Sequence, residues 1–117
     1  MHKRILIVDD DPDICDSLAM LLRIEGYNVD ETSDSQQAAN LIEKDIYDVC
    51  LFDYKMKGLN GIDLLKRTKN VNPECSVFIV SGMDMDEFYN REINTGLAGS
   101  IRKPFDIDAL LERIETA

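Results

Sequence analysis

Ile5-Leu6-Ile7-Val8-Asp9-Asp10-Asp11 is the stretch that decides the fold: four apolar residues in a row, then three acids. A fully apolar run bounded by charge reads as a strand buried on both faces, the situation of a parallel sheet. Carboxylates placed directly after it lie at the strand's C-terminal end, where open α/β sheets put their ligand sites. The pattern then repeats. Val49-Cys50-Leu51-Phe52 ends in Asp53, Val77-Phe78-Ile79-Val80 ends in Ser81-Gly82, and a weaker segment ends in Lys103-Pro104. In one parallel sheet, an acid pair, a lone acid, a hydroxyl and a lysine converge on one edge. That set of groups suits a divalent cation and a phosphoryl group.

The rest of the chain bounds this reading. Its 117 residues amount to about one domain, with 44% apolar and 31% charged residues, ordinary for a soluble globular protein. No apolar stretch approaches the ~20 residues of a membrane span, and the N-terminus has no secretory apolar region. A cytoplasmic location is the simplest expectation. The three cysteines, Cys15, Cys50 and Cys75, are odd in number and lack metal-ligand spacing, so reduced and mostly buried thiols are expected. A net charge of -10 argues against a nucleic-acid surface, which needs clustered Lys and Arg. No repeat, linker or low-complexity segment interrupts residues 1–117, and the chain reads as a single domain with nothing attached.

Between the apolar runs the pattern is helical. Strand one is expected over Arg4–Val8. Asp11 followed by Pro12 opens a helix, the acid as N-cap and the proline where a missing N–H costs nothing. Ile14, Leu18, Leu21 and Leu22 share a face of it and Gly26 stops it. Tyr27–Thr32 reads as a short strand, and Ser33-Asp34-Ser35 offers caps for a helix carrying Ala38, Ala39, Leu41 and Ile42. Strand three spans Asp48–Phe52. Lys57-Gly58-Leu59-Asn60-Gly61 leads into a helix with Ile62, Leu64 and Leu65, ended by Asn72-Pro73. Strand four spans Ser76–Val80. Phe88, Ile93 and Met85 mark a further helix closed by Gly96, strand five is short at Gly99–Arg102, and Asp106 caps a last helix with Ile107, Leu110, Leu111 and Ile114. Five strands alternating with five helices, joined by right-handed crossovers, make a parallel sheet covered on both faces.

The chemistry follows group by group. Asp9 and Asp10 repel each other, which a hard cation such as Mg²⁺ resolves; a solvated acidic turn fits the same residues. Asp53 closes the most apolar strand, and a carboxylate there must be held by metal, lysine or hydrogen bonds. Carboxylates can attack phosphorus and form an acyl phosphate. Lys103 is a point charge suited to a phosphoryl oxygen, or else a surface cation before a proline turn. Ser81 can donate a hydrogen bond to another such oxygen, or cap the strand end.

These residues carry a resemblance to a known family. Ile5-Leu6-Ile7-Val8-Asp9-Asp10-Asp11, Leu51-Phe52-Asp53-Tyr54-Lys55-Met56-Lys57-Gly58-Leu59-Asn60-Gly61, Ile79-Val80-Ser81-Gly82 and Ile101-Arg102-Lys103-Pro104-Phe105 resemble the motifs of the response-regulator receiver domain of two-component signalling. The resemblance covers essentially the whole chain. It implies a flavodoxin-like three-layer sandwich with strand order 2-1-3-4-5. It implies further that Asp53 is a phosphoprotein's acceptor, taking a phosphoryl group from a phosphohistidine on a sensor histidine kinase or histidine phosphotransfer protein. By the same carry-over Mg²⁺ is ligated by the side chains of Asp10 and Asp53 and by the Lys55 carbonyl, with Asp9 supporting the site. Ser81 and Lys103 complete the catalytic set, and the bond before Pro104 is cis. The implied output is a switched protein-interaction surface acting on a downstream target or effector domain, from a monomer or a weak phosphorylation-dependent dimer. The chain would be no enzyme beyond its own phosphorylation and dephosphorylation.

Two departures stand out. Lys57 occupies a position where the family usually has proline, and Ser100 one where it usually has Tyr or Phe. That aromatic normally swaps rotamers with the phosphorylation state, so the output switch is where this chain differs. A phosphoaspartyl hydrolase of the haloacid-dehalogenase type would need an acid two residues after Asp53, where Lys55 stands. A degenerate receiver that binds proteins without phosphorylation is the remaining alternative, although such modules commonly lose the acid pair or the lysine.

Overall fold

In the computed structural model of the chain, residues 3–82 and 97–117 are described. They form strands β1 (Arg4–Val8), β2 (Asn28–Thr32), β3 (Val49–Asp53), β4 (Ser76–Ser81) and β5 (Leu97–Arg102). The helices are α1 (Pro12–Ile24), α2 (Ser35–Lys44), α3 (Gly61–Val71) and, at the C-terminus, α4 (Ile107–Thr116). The helix expected around Met85, Phe88 and Ile93 lies outside the described residues. All neighbouring strands are parallel, in the order β2-β1-β3-β4-β5.

The apolar runs form strands because each must bury both faces, and successive side chains point to opposite sides of the sheet. Leu6, Val8, Cys50, Phe52, Val77 and Ile79 pack on one side against α2 and α3. Ile5, Ile7, Leu51, Phe78, Val80 and Ile101 pack on the other against α1 and α4. Both layers are closed by helices whose starts are written locally. The Asp11 carboxylate accepts from the backbone N–H groups of Asp13 and Ile14, Asp34 from Gln36 and Gln37, and Asp106 from Asp108. Asn60 and Asp63 cap α3 reciprocally, each side chain bonding the other's backbone. At the far end of α1, Gly26 takes a φ of +97°, which lets Tyr27 N–H reach back to the Leu22 carbonyl at 3.2 Å. The Lys3 ammonium donates to three carbonyls at the end of α4, those of Ile114, Glu115 and Ala117, satisfying groups a helix end otherwise leaves open.

One expectation needs correction. The stripe of α1 that faces the sheet is Cys15, Leu18, Ala19 and Leu22, whereas Ile14 and Leu21 remain 41% and 45% exposed. Positions i, i+3, i+4 and i+7 point one way, and Ile14 and Leu21 stand just off that line. They instead line a groove shared with Phe105 and Ile107. All three cysteines are free and buried, as expected.

Candidate functional site

The strand order sets the site. The chain adds β2 on one side of β1 and then β3, β4 and β5 on the other, so the strand order switches between β1 and β3, the point at which open parallel sheets form a crevice beyond their C-terminal ends. Val8 pairs with Phe52, so Asp9 and Asp53 emerge side by side from β1 and β3. Asp53 pairs with Val80, and Ser81 with Arg102, which brings the ends of β4 and β5 to the same edge. Backbone bonds fasten these ends: Tyr54 N–H donates to the Val80 carbonyl at 2.9 Å and Lys103 N–H to the Ser81 carbonyl at 2.7 Å. The Lys103–Pro104 bond is cis, as the resemblance implies.

Lys103 is the hinge of the charge arrangement. Its ammonium lies 3.0 Å from Oδ2 of Asp9 and 3.4 Å from Oδ1 of Asp53. Asp9 is buried, and its other oxygen accepts from Asp11 N–H at 3.0 Å. Burial, and then the Asp9 carboxylate, push the Asp53 carboxyl above its usual range, against the pull of Lys103. Burial works against the Lys103 charge, but the bond to Asp9 and the charge of Asp53 prevail and hold its ammonium above the ordinary lysine range. One cation thus serves two desolvated acids, and Asp53 is left under-compensated. Such a carboxylate gains from any further positive charge.

The remaining candidates take different places. Ser81 is buried at the end of β4. Asp10 is exposed and opens onto a cleft of about 430 Å³ shared with Ser33, Asp34, Ser35 and Lys57. Lys55 is exposed in the loop after β3. No group of three or more His, Cys, Asp or Glu side chains is gathered as a ready metal cage among the described residues. The donors that are present, carboxylates beside open space, fit a cation that keeps several of its waters, as Mg²⁺ does.

Ser35 is a contributor that sequence reasoning placed only among helix caps. Its hydroxyl donates to the Lys57 carbonyl at 2.8 Å and accepts from Leu59 N–H at 3.1 Å, tying the loop after Asp53 to the start of α2. This bridge supplies a restraint where proline is absent at Lys57. Gly58 turns the loop with a φ of +80°, and a Cβ there would lie 2.9 Å from the Ser35 hydroxyl. Gly61 is needed for proximity: a Cβ would sit 2.8 Å from the Asp53 carbonyl. At Ser100, Arg113 of α4 donates to the carbonyl at 2.7 Å while its guanidinium lies over the Phe78 ring. No local signal marked either Ser35 or Arg113, because both act across the fold.

Comparison with known proteins agrees with the geometry. The family model described as the response regulator receiver domain matches residues 5–115, and the chain belongs to that family. A solved CheY-like receiver domain protein from Methanospirillum hungatei JF-1 superposes with a TM-score of 0.92 at 34% identity, over 99% of this chain and 93% of that one. Sporulation initiation phosphotransferase F of Bacillus subtilis is 30% identical over 98% of this chain and 93% of its own length. The transcriptional regulatory protein ZraR of Escherichia coli K12 is 35% identical over 97% of this chain, which spans only 26% of that longer protein. No helix among the described residues is long and apolar enough to cross a membrane.

Proposed function

We propose that the chain is the phosphoacceptor receiver domain of a two-component response regulator and that Asp53 carries the phosphoryl group. The observation that supports this most directly is the Lys103 ammonium bridging Asp9 and Asp53 at the edge where Ser81 also ends its strand. An oxygen of Asp53 attacks the phosphorus of a phosphohistidine; the phosphorus–nitrogen bond breaks, and the imidazole leaves as its own nitrogen is protonated. Lys103 neutralises one phosphoryl oxygen and Ser81 donates a hydrogen bond to another. Mg²⁺ held by Asp10, Asp53 and the Lys55 carbonyl, with Asp9 in support, would supply the charge that lets an anionic donor approach an acidic edge. The Ser35 bridge keeps the loop after Asp53 in place while this happens.

In this reading the chain is no enzyme toward external substrates. Its donors are a sensor histidine kinase or histidine phosphotransfer protein, and its output is a protein contact in the cytoplasm with a downstream target or effector domain. Intact-mass analysis with a small phosphodonor such as acetyl phosphate plus Mg²⁺ tests it. One phosphoryl addition is expected on the wild type and none on Asp53→Asn. Equal labelling of Asp53→Asn would overturn the acceptor assignment, and no labelling of the wild type would favour a protein-binding module that works unphosphorylated.

A further inference from the structure

At the opposite edge of the sheet, two thiols meet. Cys50 lies within β3, and Cys75 directly precedes β4, whose Ser76 pairs with Val49. Both side chains turn into the layer beneath α2 and α3, where their Sγ atoms are 3.5 Å apart. Both are free and essentially inaccessible, at 0% and 1% exposure. A disulfide needs an S–S distance of about 2.05 Å; Cys50 pairs with Val77, two residues beyond Cys75, so closing the remaining gap draws the segment that leads into β4 toward β3.

The surroundings make the two sulfurs unequal. The ammonium of Lys69 donates to the carbonyls of Pro73 and Cys75, holding the segment that leads into β4 and placing a cation beside it. The neighbouring Cys50 thiol, together with Lys69 and against burial, holds the Cys75 thiol below its usual range. Burial, and then Cys75, push the Cys50 thiol well above its own. Cys15 provides the contrast. Its sulfur donates to the carbonyls of Ile7 at 3.7 Å and Thr32 at 3.5 Å, and burial, then Glu31, push its thiol up to about 11.

We propose that Cys50 and Cys75 are an oxidisable dithiol, a modification site at the edge of the sheet away from Asp53, which hydroperoxides convert to a disulfide. When the segment before β4 opens locally and admits the peroxide, the Cys75 sulfur attacks a peroxide oxygen; the O–O bond breaks, water or an alcohol leaves, and Cys75 becomes a sulfenic acid. The Cys50 sulfur then attacks the Cys75 sulfur. The S–S bond forms, the S–O bond breaks, and a water leaves carrying the proton of Cys50. Two thiols lose two electrons and one peroxide gains them. The bond closes a loop containing α3, the helix that follows the acceptor strand, and it constrains the unfolded chain. This inference stands independently of the phosphoryl reading.

The test treats the full chain with hydrogen peroxide, unfolds it in iodoacetamide, and weighs it. The expected product has lost two hydrogens and carries a single alkyl group, on Cys15. A peptide map joins Cys50 to Cys75, a reducing agent reverses the change, and the thermal midpoint of the oxidised form is higher by several degrees. Cys15→Ala should still lose two hydrogens, whereas Cys50→Ala should gain oxygen on Cys75 instead. Three alkyl groups on oxidant-treated wild type, oxygen added without hydrogen lost, or a cross-link through Cys15 would each overturn the proposal. The wild-type and Cys15→Ala arms decide it even if Cys50→Ala fails to fold.

Discussion

The two edges of the sheet handle their charges in opposite ways. At the N-terminal edge, the Arg4 guanidinium lies 3.2 Å from Asp30 and 3.7 Å from Asp45, and stacks over the Tyr47 ring. The Tyr47 hydroxyl donates to Asp30 at 2.7 Å, and Asp48 accepts from the Arg4 backbone at 2.8 Å. Asp30 and Asp45 share the Arg4 guanidinium, but Asp30 has the Tyr47 hydroxyl besides, and both carboxylates are more than a third exposed, so water meets what the guanidinium does not. At the C-terminal edge, Asp9 and Asp53 share one ammonium, and Asp53 is left above its usual range by burial and by Asp9. A fold that needed only stability would pair both edges alike. The asymmetry places the unresolved charge at the edge to which the proposed function assigns the cation and the phosphoryl group, and such a stored cost is common at functional sites.

Removing Lys103 is the most severe test of this contrast. Lys103→Met leaves Asp9 buried and unpaired beside Asp53, and is expected to cost about 2 kcal/mol near neutral pH without metal. The sign follows from the shifts. The Lys103 ammonium is held above its usual range, so its contribution is fully present at neutrality and is lost only in strong alkali. Without it the Asp53 carboxyl rises further, and ionising it then opposes folding. The deficit should therefore shrink as pH falls toward the carboxyl range, as read by denaturant unfolding. A deficit unchanged by acid would show that Lys103 acts through packing of its stem instead.

A smaller effect of opposite sign is expected at Asp53. Because its folded value is raised, its stability contribution is present at low pH and is lost as pH rises through that value. Asp53→Asn should thus stabilise the metal-free chain at neutral pH by on the order of 1 kcal/mol, with the gain vanishing in acid. The matching change at the other edge, Asp30→Asn, weakens a half-exposed pair and should destabilise by only about 0.5 kcal/mol. If both substitutions moved the thermal midpoint the same way, the edges would not differ as the geometry indicates.

How much of this was legible depended on how far apart in sequence the partners lie. Strands β1, β3 and β4 announced themselves because burial on both faces forces continuous apolar runs, whereas the outer strands β2 and β5 carry no such run and β5 starts at Leu97, two residues before the expected Gly99. Asp11-Pro12, Asp34 and Asp106 marked helix starts because capping is settled within three residues. The meeting of Asp9, Asp53 and Lys103 followed from topology, as did the placing of Ser81 at the same strand edge, whereas the exposure of Asp10 beside a separate cleft did not. The edge on which Arg4 meets Asp30 and Tyr47 was not legible, since nothing local says which acid a cation will choose. Nor was the Ser35 bridge to Lys57 and Leu59, for a serine beside a helix start already has a sufficient local role. On α1, periodicity identifies an apolar helix but not the angle at which it rests on the sheet, so it puts Ile14 and Leu21 on one face with Leu18 and Leu22 although they stay 41% and 45% exposed.

The smallest expected effect lies on the flank, and it asks whether unresolved charge is confined to the C-terminal edge. Glu31 on the outer strand β2 sets Oε1 3.3 Å from Arg23, while its buried Oε2 has no hydrogen-bond partner among the described residues. Burial, and then Asp16 beside it, push the Glu31 carboxyl up against the pull of Arg23. Its stability contribution is therefore present in acid and is lost as pH rises through the folded value. Glu31→Gln mimics the protonated form at every pH and offers N–H donors that the Asp16 carboxylate can accept. Screening at the exposed Asp16 limits the gain to a few tenths of a kcal/mol near neutrality, or about 1–2 °C in the midpoint. The gain should disappear below the carboxyl range, where the wild type is protonated already. A loss of stability would mean that the Arg23 pairing outweighs the Asp16 repulsion, and the C-terminal edge would then hold the unresolved charge without a rival on this flank.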